Sequence, residues 1–323
     1  MKTILAAWIV RALLGACLLF GAEIALWTAP TRALPDWPPL ALGYVALAAA
    51  ALDMGRRFHV RDIFGLLLLA GLYASAASLL LFPQSALADI PVTLVTRALG
   101  AYTVAGVLAL AAFLMLLGAP QRRRLLLACG VGGLAWGAWV HGLPELTTGA
   151  DPDPLPLMLL AGVIGLALIG GLRWLIVRLD APHAAADLQL GVIGWALTAA
   201  ALVWNGARSL DNGAVDTLGL VVCVALAAYI MVILWFQKRG SGTLFDAAFP
   251  PLAVEWRTLG IAAGLVLAGS AAGYVIAAAV LPDTSLAAAL VGVFTAWGLV
   301  WLPTVSLVLG VDGWRRLTRQ RRL

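Results

Sequence analysis

Charged residues are scarce in this chain. Only 11% of its 323 residues are charged, whereas 63% are hydrophobic. A soluble domain has about a quarter of its residues charged and about half apolar. A water-soluble core of this length could not hide so much apolar surface, so lipid must cover much of it. The composition therefore predicts an integral membrane protein whose principal partner is the lipid bilayer.

Cysteine and histidine are equally scarce, with three residues of each. The cysteines lie inside apolar runs, where a thiol behaves as a small hydrophobe, and no C-x-x-C pair occurs. Three histidines spread over the chain do not form a ligand set for zinc or haem. The sequence therefore predicts no metal site, no cofactor and no disulfide framework.

Ten apolar segments are long enough to cross a bilayer, which needs about 20 helical residues. They predict an all-α, polytopic helix bundle with an uncleaved first helix. The predicted spans are 4–27, 38–54, 62–82, 98–118, 124–142, 155–177, 188–206, 217–236, 258–281 and 285–311.

Basic residues mark alternate loops between these segments. Sixteen lysines and arginines fall in one set of loops and three in the other, which also holds eight acidic residues. Cytoplasmic loops carry the excess of Lys and Arg, and the bias is consistent only with an even number of helices. The pattern predicts a multi-pass protein of the inner or plasma membrane with both termini cytoplasmic. Because no basic domain stands clear of the bilayer, nucleic-acid binding is not predicted.

A weak internal repeat is visible. Trp27 and Trp204 each precede a polar turn and an apolar run that ends in a basic pair. This similarity would relate residues 1–118 to residues 188–311 in the same orientation, with 119–187 as a connector, and parallel repeats occur in transporters. The rival interpretation is chance similarity between helices rich in leucine and alanine.

Ionisable residues inside the predicted spans are the natural functional candidates, because each costs about 2.5–3.5 kcal/mol at mid-bilayer. Glu23 and Arg97 sit at similar depth near the outer surface and could pair across the first and fourth helices. Asn205 and Arg208 occupy a similar depth and could join them. The functional interpretation is a gate or a binding charge facing an outward cavity, and the structural interpretation is an ion pair that fixes helix packing.

Three further charges lie nearer the inner surface. Arg11 and Arg173 are close enough to the cytoplasmic headgroups to snorkel, and Arg11 also remains a functional candidate. Asp53 ends the second helix beside Arg56 and Arg57. It is expected to face the headgroups or to pair with these arginines, as a solvated helix end.

Pro303 interrupts the last predicted helix, followed by Thr304. Proline removes a backbone hydrogen bond, and discontinuous helices often mark transporter binding sites. We therefore predict that this segment lines an internal cavity, against the alternative of a plain kink. Small residues also recur at four-residue spacing, which favours close helix packing in lipid: Gly133 and Gly137, Gly162, Gly165, Gly170 and Gly171, and Gly260, Gly264, Gly269 and Gly273.

Residues 237–257 form the longest predicted cytoplasmic loop, which would lie along the inner membrane surface or dock a protein partner.

The function that these features favour is a secondary transporter or permease for a small molecule. The alternative is a non-catalytic membrane subunit or scaffold of a larger complex, which the scarcity of acidic residues at mid-membrane favours. A lipid-modifying enzyme would need clustered His, Asp or Glu near one surface. The only such cluster, Glu145, Asp151 and Asp153 near His141, has the Asp-Pro-Asp-Pro composition of a solvated turn.

Overall fold

The computed structural model of the chain describes residues 2–26, 32–118, 122–142, 154–179, 188–211, 216–237, 242–246, 256–280 and 285–320. Within these ranges the backbone is helical with short connections, and no strand occurs. The prediction of an all-α helix bundle is confirmed.

Ten long helices run through the described residues. They are α1 (Lys2–Leu19, continued by a π-helical segment, Phe20–Ala25), α2 (Trp37–Arg57), α3 (Ile63–Leu80), α4 (a π-helical segment, Leu94–Tyr102, continued by Thr103–Leu117), α5 (Arg122–His141), α6 (Pro154–Arg178), α7 (Val192–Asp211), α8 (Thr217–Gln237), α9 (Trp256–Val280) and α10 (Ser285–Gln320). A three-residue 3₁₀ turn, Leu34–Asp36, precedes α2, and a single helical turn, Pro83–Ala86, follows α3.

Eight of these helices are long and apolar enough to cross a membrane: α1, α2, α3, α4, α6, α8, α9 and α10. The two others are less apolar, because α5 opens on three arginines and α7 ends in a polar turn. Each nevertheless has 20 residues, which is about 30 Å of helix, and lies against a spanning neighbour. The chain is a multi-pass α-helical membrane protein.

Most boundaries lie within three residues of the predicted spans, but those of α4, α7 and α10 do not. α4 begins at Leu94 and not at 98. α7 begins at Val192 and not at 188, because the backbone of Leu190 bonds to side chains of α2 and does not enter the helix. α10 extends to Gln320 and not to 311, since a helix need not end where its apolar stretch ends.

Five contacts join helices of the first half of the chain to helices of the second. α1 contacts α6, α2 contacts α7, α3 contacts α8, α4 contacts α10, and α5 contacts α9. Exchanging each helix with the one five positions later maps these five contacts onto themselves. The symmetry does not extend to the whole bundle, because α1 packs along α2 whereas α6 and α7 make few contacts or none. The repeat of 1–118 and 188–311 stays a prediction.

Glycines bring two of these pairs into close contact. A methyl group at Gly137 would overlap the carbonyl oxygen of Ser270, and one at Gly273 would overlap that of Leu134. The α4–α10 pair is built in the same way, because Gly298 lies directly against the carbonyl oxygen of Val95. The predicted close packing through small residues is therefore present at these positions. Other glycines of the same pattern, Gly170, Gly171, Gly260 and Gly264, have open space beside them.

The two halves of the bundle differ in how much of each helix is covered. In α1 to α4 at least half of the apolar window is buried, whereas in α6, α8, α9 and α10 it is less than a quarter. Of these eight helices, α1 to α4 are therefore the most fully covered by protein, and they enclose Glu23 and Asp53, while other buried polar side chains lie on α6, α7 and α9.

Candidate functional site

Glu23 is the acidic residue at the centre of the candidate site. It lies in the π-helical end of α1 and is 3% exposed. Single π turns inside helices occur frequently at functional sites. A buried carboxylate is costly unless it is paired, so its partners decide what this site can do.

Two side chains bind the carboxylate of Glu23. The Arg32 guanidinium (Nη2) lies 3.0 Å from Oε2, and the Tyr44 hydroxyl donates to Oε1 at 2.9 Å. Arg32 precedes the 3₁₀ turn that leads into α2, whereas Tyr44 lies inside α2 and is fully buried. The carboxylate is thus held from two sides, by a neutral donor in the bundle and by a charged donor on a connecting segment.

Aromatic side chains enclose this ion pair. Tyr73 of α3 and Tyr102 of α4 are both buried and lie close enough to Glu23 or to one another for electrostatic interaction. Phe82 stacks on Tyr102 with 5.6 Å between ring centroids and lies 6.3 Å from the Tyr44 ring. The name Glu23 cluster is used below for six residues: Glu23, Arg32, Tyr44, Tyr73, Phe82 and Tyr102.

The Tyr73 hydroxyl lies beside that of Tyr44 yet makes no well-formed hydrogen bond with any described residue. Leaving a buried hydroxyl unpartnered costs about 1–3 kcal/mol. Gly106 of α4 sets the position of this ring, because a methyl group there would lie 2.7 Å from Tyr73 Cδ1. The packing therefore holds an unsatisfied polar group beside the carboxylate.

The sequence identified Glu23 but not the residues around it. The tyrosines could have indicated this site, since the chain has only five and three of them lie here. A buried tyrosine hydroxyl usually needs a partner, so tyrosines inside several predicted spans indicate a shared polar site.

The other outer-surface candidates lie on α4 and α7. Arg97, in the π-helical start of α4, is exposed, and its pairing with Glu23 stays a prediction. Asn205 is buried against Gly43 of α2 and donates to the Ala201 carbonyl. Arg208 forms an exposed ion pair with Asp36.

The two arginines predicted near the inner surface are both buried. Arg11 is 3% exposed and its guanidinium lies 4.7 Å from the centre of the Trp8 ring. Arg173 is 1% exposed, so the prediction that it snorkels to the headgroups is wrong. Its Nε and Nη1 atoms make no hydrogen bond with any residue in the described ranges. Neighbouring helices cover this side chain before it can reach the surface.

Pro303 and Thr304 are exposed on α10. The opposite face, with Gly298 and Trp301, packs against α4, and Trp301 Nε1 donates to the Leu99 carbonyl at 2.9 Å. The helix continues through the proline, and Thr304 donates to the Val300 carbonyl. Exposed residues of a membrane helix face either lipid or an open cleft, so a cavity-lining role stays a prediction.

Asp53 pairs with a neighbouring arginine, which was one of its two expected arrangements, but the expectation of a solvated helix end is wrong. Its side chain is completely buried, and Oδ1 accepts a 2.6 Å hydrogen bond from the Leu190 backbone N–H. Oδ2 pairs with Arg57, whose guanidinium in turn donates to the Leu190 carbonyl at 2.9 Å. Asp53 and Arg57 thus clamp the segment before α7 to the end of α2. The acidic side chain turns inward because it has an unpaired backbone donor to satisfy there.

A second contact closes the same end of the bundle, from within the predicted 237–257 loop. Phe245 is buried against Gly55, whose lack of a side chain makes room for the ring. Asp246 pairs with Arg56 at 3.2 Å, and the Leu244 N–H donates to the Val60 carbonyl. The described part of this loop, 242–246, therefore packs on the turn between α2 and α3.

No group of three His, Cys, Asp or Glu residues in the described ranges could hold a metal ion. The acidic loop with Glu145, Asp151 and Asp153 lies outside those ranges. The chain matches no protein-family model, and neither a curated protein nor a solved structure is significantly similar to it. The class defined by the structure is that of a multi-pass helical membrane protein with a buried acidic and aromatic site.

Proposed function

We propose that the protein is a secondary transporter for a small molecule, located in the inner or plasma membrane with both termini cytoplasmic. The Glu23 cluster is the site at which the substrate or coupling ion binds. The observation that carries the proposal is the burial of the Glu23 carboxylate among tyrosines within the membrane-spanning part of the fold. Acidic residues in such positions commonly mark substrate or ion pathways.

The position of one charged partner of Glu23 supports this role. Arg32 lies between α1 and α2 and not within a helix. Its side chain is 19% exposed, whereas that of Glu23 is 1% exposed, so this ion pair lies at the edge of the buried site.

The rest of the fold is compatible with a site that opens to one side at a time. Arg32 covers Glu23 at one end of the bundle, while the Asp53–Arg57 clamp and Phe245 close the end where α2 meets α3. If all ten helices span the bilayer, α6 runs opposite to α1. The observed pairing then relates two five-helix halves of opposite orientation, an arrangement used by transporters.

The experiment is a flux assay on the purified full chain in proteoliposomes. Solid-supported-membrane recordings would use separate panels of organic cations, organic anions, amino acids and sugars, each with and without a pH gradient. A saturable, concentration-dependent current or pH change is expected with one panel. Glu23→Gln should abolish it while the protein still folds and inserts.

Asp36→Asn is the matched control, since Asp36 is also a paired carboxylate but lies in an exposed ion pair. This variant should retain flux. Absence of saturable flux with every panel would contradict the transporter proposal and favour the alternative, a non-catalytic subunit of a complex.

A further inference from the structure

Arg173 is a buried arginine that the proposed transport site does not use. It is 1% exposed, and its Nε and Nη1 atoms are enclosed without a hydrogen bond to any residue in the described ranges. None of the ion pairs formed among the described residues includes it. A buried charge is costly unless it is paired, so this guanidinium calls for an anionic partner.

Arg173 lies on the face of α6 that packs against α5 and α9. Gly162, about three helical turns earlier on the same face, lies against Trp136 of α5 and Leu267 of α9. Because Gly162 is near the start of α6 and Trp136 is near the end of α5, α6 runs back along α5. The distance from Gly162 to Arg173 is about 17 Å of helix, which places Arg173 level with the first turns of α5 and α9.

The helices around Arg173 supply positive charge and no negative charge at this level. α5, α6 and α9 contain no Asp or Glu. α1 also packs along α6, but its acidic residue Glu23 is level with Gly165, about 12 Å of helix from Arg173. The arginines of α5, α6 and α9 all lie toward this end of the bundle: Arg122, Arg123, Arg124, Arg173, Arg178 and Arg257. The charge balance therefore favours an anion as the partner.

We propose that the α6–α9 interface at Arg173 binds the phosphate group of an anionic phospholipid. A guanidinium can donate two parallel hydrogen bonds to phosphate oxygens. Nη2 is not enclosed in the same way as the other two nitrogens, so it is the donor that a phosphate at the edge of the bundle can reach. The inference does not depend on transport, because it concerns a different part of the fold.

The surface around Arg173 supports a lipid as the source of the phosphate. α6 is the least covered of the eight apolar helices, so lipid lies along most of it. Trp174 and Trp256 are exposed at this end, and indole rings prefer the headgroup level. Leu168 and Ile261, about 8 Å deeper, expose apolar side chains beside which acyl chains can lie. Basic pockets between membrane helices are known to bind phosphate-bearing lipid headgroups.

The test measures lipid binding to the purified, delipidated full chain in nonionic detergent micelles by native mass spectrometry. The probes are phosphatidylglycerol, phosphatidylcholine with the same acyl chains, and inorganic phosphate. Phosphatidylglycerol should bind wild-type protein at least about tenfold more tightly than Arg173→Met, because truncating one partner of a buried charged hydrogen bond costs at least this factor. Phosphatidylcholine, which has no net charge, should bind the wild type more weakly than phosphatidylglycerol does.

Arg178→Met is the matched control. It removes the same charge from the same end of α6, but Arg178 is exposed and lies over the Trp174 ring at 4.6 Å. It should change the affinity for phosphatidylglycerol by less than about threefold, as expected for an exposed charge. An equal loss in the two variants would show that surface charge alone attracts the lipid, and would overturn the site.

Thermal unfolding distinguishes the lipid from a counter-charge within the chain. Asp180, Asp187 and Glu255, on segments that adjoin α6, α7 and α9, lie outside the described residues. If the lipid is the partner, Arg173→Met should raise the Tm in micelles without phospholipid, because it removes an unpaired buried charge. Phosphatidylglycerol should then raise the Tm of the wild type more than that of the variant. A lower Tm of Arg173→Met both with and without phosphatidylglycerol would overturn the proposal in favour of an internal ion pair.

The remaining outcomes also decide. Inorganic phosphate that binds as tightly as phosphatidylglycerol, and loses affinity in Arg173→Met, would overturn the lipid as the source and assign a soluble phosphate compound. If Arg173→Met does not fold, Arg173→Lys keeps the charge but loses the planar pair of donors, so it should bind phosphatidylglycerol more weakly than Arg178→Lys does. Equal binding of the lipid to these two variants would refute the role of Arg173.

Discussion

Replacing Asp53 by alanine removes the acceptor that holds the segment before α7 to α2. The carboxylate is completely buried and makes both a 2.6 Å bond to the Leu190 N–H and an ion pair with Arg57. The Leu190 N–H left without its acceptor costs about 1–3 kcal/mol. The lost ion pair adds about 1 kcal/mol or less, because the remaining Arg57 side chain is 45% exposed and stays solvated. We therefore expect Asp53→Ala to lower the free energy of unfolding by about 1–4 kcal/mol.

Two comparison variants separate the components of this effect. Asp53→Asn keeps an oxygen that can accept from Leu190 and loses only the charge, so it should cost less than Asp53→Ala. Arg57→Ala leaves the completely buried Asp53 carboxylate without this counter-charge, which costs about 3–5 kcal/mol. The loss of the bond from Arg57 to the Leu190 carbonyl adds about 0.5–1.5 kcal/mol.

The assay is reversible unfolding in mixed micelles, followed by circular dichroism, together with hydrogen exchange at residues 188–191. Asp53→Ala should accelerate exchange at these residues well beyond its effect on the core of α2. If Asp53→Ala leaves both the free energy of unfolding and the exchange at residues 188–191 unchanged, the buried bond to Leu190 does not hold this segment in place and the reasoning fails.

Gly137→Ala should destabilise the protein by about 1–3 kcal/mol, because the added methyl group has no room against α9. Gly130→Ala on the same helix has open space beside it and should leave the stability unchanged. Thermal unfolding of the two variants measures the difference. The charge bias of the loops predicts that a phosphatase fused after Asp151 is active and that one fused after Leu323 is inactive; activity of the C-terminal fusion would refute the topology. A cysteine at Thr304, in a background without native thiols, should react with a water-soluble thiol reagent applied from the cytoplasmic side, and complete protection would refute a cavity at this part of α10.

The sequence predicted those features of the structure that depend on the lipid solvent. Lipid requires long apolar helices with internally satisfied backbones, so composition alone indicated the bundle and most helix ends. The same reasoning selected Glu23, because one acidic residue within an apolar run is conspicuous whatever surrounds it. Arg32 lies only nine residues away, yet a local pattern does not show that its side chain folds back on the carboxylate.

The incorrect expectations concern side chains near helix ends. Asp53 and Arg173 each sit where a charged group can turn toward headgroups or toward a neighbouring helix, and sequence position does not distinguish the two. The choice depends on distant partners: the Asp53 acceptor satisfies Leu190, which is 137 residues further along the chain. The same applies to the π-helical turns that carry Glu23 and Arg97, since no residue type in them signals an altered hydrogen-bond register.

By itself the sequence determined that the protein lives in a membrane, that it is helical throughout its apolar runs, and that Glu23 is an unusual residue in one of them. Tertiary structure alone decided that Tyr44, Tyr73 and Tyr102 meet at that carboxylate and that Arg32 covers it. The physical reason is that the hydrophobicity of each residue depends only on that residue and its solvent, so it can be determined from the sequence. A binding site is a relation between side chains on different helices, and exists only when those helices pack.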